Sequence, residues 1–294
     1  MTVVTVIVAD NSVPYLVKAI KTVAVYIHLN HLSSIKDSTH SMQGKEVPSL
    51  ARFFISASNL FGGMAYLSAA EREHIKVLRL RQGEVFTVCD GSGTDYTCEL
   101  SKNEDGELVG RVIEKKPSKG EPSVDVTVYA ALAKGDKNET VIQKCVELGA
   151  HGIVIFPSAR CIVKLENDAA ILKKTDRWQK IALEAAKQCG RGIIPVVKYA
   201  TSFELAVDMA AKAELPLFLY ENENKLGIHD AIIAKKDAKT ISIFTGPEGG
   251  FDDSEAVYAM ENGMTSVTLG PRILRCETAP MCGVTAAMLL TGNL

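Results

Sequence analysis

The sequence has few features of a metalloprotein or of a disulfide-stabilised protein. Its seven cysteines and six histidines are scattered over 294 residues and form neither a C-x-x-C pair nor an H-E-x-x-H motif. This excludes the common zinc and thioredoxin-type sites, and we expect no metal. Isolated cysteines are typical of small buried side chains in a reducing compartment, so we predict a cytoplasmic protein.

A strong net charge and the standard nucleotide motifs are also missing. Because the net charge is only -2, local basic patches would have to hold any nucleic-acid partner. The sequence contains no G-x-x-x-x-G-K-[ST], no G-x-S-x-G and, after the first strand of its α/β part, no G-x-G-x-x-G. These absences exclude a P-loop ATPase, the usual serine hydrolase and a Rossmann dehydrogenase.

Residues 1–50 contain no long uninterrupted apolar run. Asp10, Pro14 and Lys18 break the apolar stretch at the start, so it is too short to span a membrane. It lacks the basic start of a secretory signal, and it lacks the arginines of a transit peptide because the first arginine is Arg52. We interpret residues 1–50 as an appended segment of unknown role.

The remaining chain contains two different patterns. Residues 51–119 hold short β-prone runs separated by Gly, Asn and Asp turns, with one helix expected at residues 69–79. This pattern predicts a small β-barrel, which ends at the polar stretch 115–122 with its two prolines.

From residue 120 onward, strands and helices alternate, which predicts an α/β fold with a mostly parallel sheet. The expected strands are 124–132, 152–156, 196–200, 215–220, 241–244 and 266–269; the expected helices are 139–148, 175–189, 202–214, 253–262 and 277–290. In such sheets, ligands bind at the carboxyl ends of the strands.

Two glycine–proline loops occupy such positions. TGPEGGF, residues 245–251, follows one expected strand, and LGPRILRCETA, residues 269–279, follows another. Glycine lets a backbone approach a ligand closely or adopt a positive φ, and proline stiffens a loop. The two loops together predict one ligand pocket.

These motifs carry a resemblance to a known family. TGPEGGF…E, LGPRILRCETA, IQKCVELG and QCGR…P resemble the RsmE family of 16S ribosomal RNA uracil-N3 methyltransferases, which belongs to the SPOUT superfamily. ARFF and HIKVLRLRQGE are similar to the PUA-like RNA-binding domain of the same family. The resemblance covers residues 51–294, and residues 1–50 depart from the family's pattern.

The resemblance implies a PUA-like β-barrel at residues 51–119 and a SPOUT methyltransferase domain with a C-terminal trefoil knot at residues 120–294. It also implies a homodimer, S-adenosylmethionine as methyl donor, and 16S rRNA in the small ribosomal subunit as the substrate, methylated at N3 of a uridine. No membrane partner is expected. Because residues 1–49 lie outside the family's pattern, we expect their removal to leave folding and methylation intact.

The cofactor is expected to lie among three loops. Ile273 and Leu274 are suited to cover its adenine, whereas Glu248 could orient a loop, meet the ligand or cap the helix at residue 253. The expected cofactor-binding residues are Tyr220, Glu221, Thr245, Gly246, Glu248, Gly249, Gly250, Leu269, Gly270, Ile273, Leu274 and Thr278.

Catalysis is expected to depend on Arg275, which would stabilise the uracil anion, with Arg272 as the nearest competitor. Arg275 could instead pair with Glu277 and shape the loop. No residue stands out as a general base, and Glu277 is a weak candidate. The expected RNA-binding residues are Arg52, His74, Lys76, Arg79 and Arg81, together with Arg191 from the partner subunit.

Two other functions fit the same motifs. One is a different SPOUT methyltransferase acting on transfer RNA or on a ribose 2′-hydroxyl. The other is a non-catalytic RNA-binding assembly factor built on the same scaffold. The two intact glycine loops argue against the assembly factor, because a chain released from cofactor binding has no reason to keep both.

Overall fold

The computed structural model describes residues 51–165 and 167–294, and the appended segment 1–50 lies outside them. The described chain contains two six-stranded sheets, each with its own buried core. None of the described helices is long and apolar enough to cross a membrane.

The first sheet is largely antiparallel and has the order β1-β4-β5-β6-β3-β2. Its strands are β1 (Arg52–Phe54), β2 (Leu60–Phe61), β3 (Met64–Tyr66), β4 (Val85–Cys89), β5 (Thr94–Lys102) and β6 (Leu108–Pro117), and its helix is α1 (Ala69–Val77). Phe53, Phe86 and Ile75 fill its core. Within the described residues no hydrogen-bonded ladder joins β1 to β2, so the predicted barrel is a sheet with two edges.

The second sheet has the order β12-β10-β11-β7-β8-β9, and every pairing in it is parallel. Its strands are β7 (Asp125–Ala131), β8 (Gly152–Phe156), β9 (Val196–Tyr199), β10 (Leu215–Leu219), β11 (Thr240–Thr245) and β12 (Thr265–Val267). Its helices are α2 (Lys137–Glu147), α3 (Asp168–Cys189), α4 (Phe203–Ala210), α5 (Ile228–Ala234), α6 (Asp253–Glu261) and α7 (Thr278–Leu290). The predicted parallel sheet is therefore confirmed.

Helix α4 ends at Ala210 rather than at residue 214, and two other helices differ more from the sequence expectation. Helix α3 begins at Asp168 rather than at residue 175, because the Asn167 side chain caps it by accepting the amide of Ala170 at 2.9 Å. It ends as predicted at Gly190, whose φ of 79° is left-handed. Helix α5 was not predicted, since a short helix has too few turns to show a clear period.

The sheet order determines where the glycine loops meet. Strands β12, β10 and β11 are consecutive neighbours and run parallel. Their carboxyl ends therefore lie at the same edge of the sheet, which brings together the loops that follow them.

Candidate active site

A cavity of about 920 Å³ opens at this edge. It is lined by residues 219–221, 223, 224, 245–250, 267–277 and 279 and by Lys137. The two glycine–proline loops therefore line a single cavity, and the segment after β10 forms its third wall.

The predicted cofactor-binding residues lie at this cavity with one exception. All of them except Thr278 line it, as do Arg272 and Arg275. Thr278 instead begins α7, and its amide donates to the carbonyl of Arg275 at 2.8 Å. Thr245 is buried, and its hydroxyl donates to the carbonyl of Tyr129 at 3.2 Å, which leaves the backbone as its contribution to the wall.

The glycines of the two loops serve different purposes. Gly250 and Gly270 have left-handed φ values of 70° and 104°. A side chain at Gly250 would also collide with the Glu221 carboxylate, which accepts the amide of Phe251 at 3.3 Å. Gly249 is not left-handed, and a Cβ there would lie 3.2 Å from the Cβ of Arg160. The space at Gly249 therefore accommodates this arginine.

An ion pair joins the first glycine loop, residues 245–251, to the start of α2. Lys137 Nζ lies 2.9 Å from Glu248 Oε1, which also accepts the amide of Lys134 at 3.1 Å. The hydrogen bond to Glu248 raises the pKa of Lys137. Burial disfavours the Glu248 carboxylate, but the bonds from Lys137 and the backbone lower its pKa overall. Glu248 thus orients the loop.

Glu248 does not cap α6. Asp252 and Glu255 form the capping box of that helix, which excludes the capping alternative for Glu248. Glu255 also accepts the Ser158 hydroxyl at 3.0 Å, and Arg160 donates to the carbonyl of Gly249 at 3.3 Å. The segment after β8 therefore supports the first glycine loop from a second side.

The sequence analysis does not identify Lys137 and Arg160 as residues of the site. Both follow strands of the parallel sheet, since Lys137 comes after β7 and Arg160 after β8. Their position after strand ends was the signal that could have identified them.

The two arginines of the second glycine loop are exposed. Among the described residues, the side chains of Arg272 and Arg275 form no hydrogen bond and no ion pair, so the alternative pairing of Arg275 with Glu277 is absent. Burial disfavours the Glu277 carboxylate, but its own amide, Cys276 and nearby positive charge lower its pKa overall. A lowered pKa makes Glu277 a weaker general base.

Arg52 and Arg191 are placed differently from the prediction. Arg52 donates to both carboxylate oxygens of Asp95 at 2.8 Å and to the carbonyl of Arg191 at 3.2 Å. The Arg191 side chain is only 3% exposed and pairs with Glu121 at 2.7 Å. The Arg52 guanidinium is engaged where the two domains meet, and the Arg191 guanidinium is buried within the second domain, which argues against the predicted RNA contacts.

The remaining predicted RNA-binding residues lie on the surface of the first sheet's domain. His74, Lys76, Arg79 and Arg81 are exposed along α1 and the segment after it. Lys76 forms an ion pair with Glu73 at 3.0 Å, an exposed contact that contributes little stability. Their contact with RNA stays a prediction.

Comparison with known proteins identifies the family. The profile of an RNA methyltransferase domain matches residues 120–288, and that of an RNA methyltransferase PUA domain matches residues 67–113. Ribosomal RNA small subunit methyltransferase E of Bacillus subtilis is 35% identical over 226 residues, which cover 75% of this chain and 88% of that protein. The chain belongs to the RsmE family.

Solved structures of RsmE-like proteins share this fold. The Neisseria gonorrhoeae ribosomal RNA small subunit methyltransferase E bound to S-adenosyl methionine is 30% identical, with a TM-score of 0.72 over 82% of this chain and 98% of that one. A Legionella pneumophila putative methyltransferase in complex with the same cofactor is 28% identical, with a TM-score of 0.69 over 82% of this chain and 97% of that one.

Proposed function

We propose that the protein methylates N3 of a uridine in 16S rRNA of the small ribosomal subunit, using S-adenosylmethionine. The observation that carries this proposal is the cavity between two glycine–proline loops, with two exposed arginines in its wall that have no side-chain partner among the described residues. Family membership supports the reaction class, because the relatives are named as methyltransferases of small-subunit ribosomal RNA.

The lining of the cavity suits this cofactor. Its volume of about 920 Å³ is within the range of small-molecule sites. The amides of Arg272, Ile273 and Leu274 form no hydrogen bond within the described chain, so they are available to a purine and an amino-acid group. Ile273 is 91% exposed and Leu274 is half-buried, so both can cover an aromatic ring. When bound, S-adenosylmethionine supplies an electrophilic methyl group.

Contacts within the protein hold the first glycine loop in place. Lys137 binds Glu248, Arg160 binds the carbonyl of Gly249, and Glu221 binds the amide of Phe251. Because these contacts already order the loop, less conformational entropy is lost on binding. We assign Lys137 and Arg160 as positioning residues.

Arg275 is assigned to the uracil. The N3 proton must leave before or during transfer, and the resulting charge spreads onto the two flanking carbonyl oxygens. A guanidinium without a protein partner can donate paired N–H groups to that anion. Arg272 is the nearest competitor for this role, and water or a phosphate oxygen of the RNA takes the N3 proton.

The proposal extends to assembly and location. We infer a PUA-like domain at residues 51–119, a SPOUT domain with a trefoil knot at residues 120–294, and a homodimer. Helix α7 contains no charged residue and leaves Leu289 59% exposed, so its surface is compatible with a dimer contact. All seven cysteines are free, which supports a cytoplasmic location.

Two measurements test this function. Mass mapping of 16S rRNA from a deletion strain should show the loss of one methyl group on one uridine, restored by the intact gene. Calorimetric titration of the purified protein with S-adenosylmethionine should show saturable binding. An unchanged methylation pattern would refute the substrate, and absence of binding heat at high protein concentration would favour the RNA-binding assembly factor.

A further inference from the structure

The β2–β3 hairpin carries an exposed aromatic pair. The rings of Phe61 and Tyr66 stack with centroids 4.3 Å apart and an interplanar angle of 15°. Phe61 is nevertheless 58% exposed, so Tyr66 covers only part of its ring. Gly62 and Gly63 both have positive φ values, which form a tight turn and hold the pair in place.

A second cavity adjoins this pair. It has a volume of about 200 Å³, and Tyr66, Asn59, Arg72 and Glu107 contribute its polar lining. The side-chain carboxamide of Asn59 and the hydroxyl of Tyr66 form no hydrogen bond within residues 51–165. Arg72 is fixed by donating to the carbonyl of Leu67 at 2.8 Å and lies 3.5 Å from Glu107. The cavity therefore offers both hydrogen-bond donors and hydrogen-bond acceptors, and Arg72 is held in place within it.

We infer that this hairpin and cavity form a binding site for unpaired nucleotides of RNA. One base stacks on the exposed part of Phe61, and the polar edge of a neighbouring base enters the cavity beside Tyr66. Single-stranded RNA is recognised in this way, by stacking on aromatic rings and by hydrogen bonds to base edges. Lys76 lies one turn beyond Arg72 on α1, and its exposed side chain, which pairs with Glu73, gives this face of the helix a cation for a phosphate.

The inference rests on the proposed function for the choice of RNA as the polymer. The competing interpretation is that Phe61 and Tyr66 only stabilise the hairpin as a cross-strand pair. In that case, removing the Phe61 ring would change stability slightly and RNA affinity not at all.

The first experiment measures RNA affinity in the full chain. Phe61→Ala should weaken the binding of a short single-stranded RNA at least about five-fold, because one stacked base is lost. The slope of affinity against salt should stay unchanged, because no phosphate contact is removed. Ile113→Ala, at another exposed apolar position of the same domain, is the matched control and should bind normally.

A second variant tests the inference even if Phe61→Ala folds poorly. Phe61→Trp retains a ring, and its fluorescence should be quenched on RNA addition, whereas the native Trp178 is buried. Normal affinity in Phe61→Ala, or an unquenched signal in Phe61→Trp, would overturn the inference. Titration of both variants with S-adenosylmethionine separates this outcome from failure of the proposed function, since cofactor binding should be intact in both.

Discussion

Four arginines predicted to act on RNA or uracil occupy two opposite environments. Arg272 and Arg275 line the large cavity, exposed and without side-chain partners in residues 167–294. Arg52 lies where the two domains meet and Arg191 is buried in the second domain, each against a carboxylate; the Arg52–Asp95 and Arg191–Glu121 pairs are called the junction below. A buried guanidinium must be paired, because an uncompensated charge in the interior is costly. Of these four arginines, the two at the cavity keep their donors for an outside anion.

Asp95 and Glu121, the two carboxylates of the junction, are stabilised in their charged form by their arginine partners. Burial disfavours the charged forms of Asp95 and Glu121, but hydrogen bonds and charge from Arg52 and Arg191 lower both pKa values overall. The Ser118 hydroxyl also donates to Asp95, and the amides of Gly192 and Ile193 donate to Glu121. The junction is thus a satisfied polar network rather than a surface for ligands.

The largest expected effect concerns Arg275, one of the two arginines at the large cavity. Arg275→Ala should lower the rate of uridine methylation about 100- to 1,000-fold, because one donor to the developing anion is lost. Affinity for S-adenosylmethionine should stay within a few fold, and the free energy of unfolding should not change. The assays are methylation of isolated small subunits and calorimetry.

Arg272→Ala is the matched control and should have the smaller rate effect. Equal losses of rate and of cofactor affinity in Arg275→Ala would place this arginine in the cofactor pocket instead. A larger rate effect in Arg272→Ala would exchange the two assignments.

Removing the counter-charge of a junction arginine should lower the free energy of unfolding. Glu121→Gln leaves Arg191 buried without its counter-charge and should lower the free energy of unfolding by about 3–5 kcal/mol. Urea denaturation provides the measurement. Glu73→Gln is the control, because Glu73 and its partner Lys76 are 68% and 65% exposed and such a pair contributes roughly 1 kcal/mol or less. Similar losses in both variants would contradict the distinction between buried and exposed pairs.

The glycines provide a finer test of the cavity wall. Gly270→Ala places a side chain in open space but at a left-handed φ, which costs about 1–2 kcal/mol. Gly250→Ala adds a collision with Glu221 and should therefore reduce S-adenosylmethionine affinity more. Gly249→Ala, which meets only Arg160, should have the smallest effect. Calorimetry of the three variants gives the order, and a larger loss at Gly249 would contradict it.

The smallest expected effect is a pH dependence at the junction. The folded-state pKa of Asp95 lies below its ordinary value of 3.8, so its contribution to stability is complete above that value. The contribution is lost as the pH falls through the lower folded pKa. The stability difference between the parent and Asp95→Asn should therefore be constant near neutral pH and shrink below pH 3.8. A difference that grows on acidification would reverse the assigned direction.

The sequence predicted the regular elements well because long alternating and periodic runs carry them. The six strands of the parallel sheet and the two glycine loops were found in this way. Strands β2 and β3 were missed, since two or three residues show no period. The two loops could be placed at one edge from the prediction of a parallel sheet, because the strands of such a sheet have their carboxyl ends at the same edge.

Side-chain partners could not be predicted. Arg52 and Asp95 are 43 positions apart, and Arg191 and Glu121 are 70 positions apart. Nothing local in the sequence distinguishes these arginines from Arg275. Lys137 was missed for a similar reason, since its partner Glu248 belongs to another loop.

The bond from Arg52 to the carbonyl of Arg191 has a consequence for unfolding. Arg52 belongs to β1 of the first sheet, and Arg191 directly follows the Gly190 cap of α3. Separating the two domains breaks this bond, although each arginine keeps its own carboxylate, and the loss of one hydrogen bond raises the free energy of the separated state by about 1 kcal/mol. The bond therefore favours unfolding of the two cores together, and we expect residues 51–294 to melt in a single calorimetric transition.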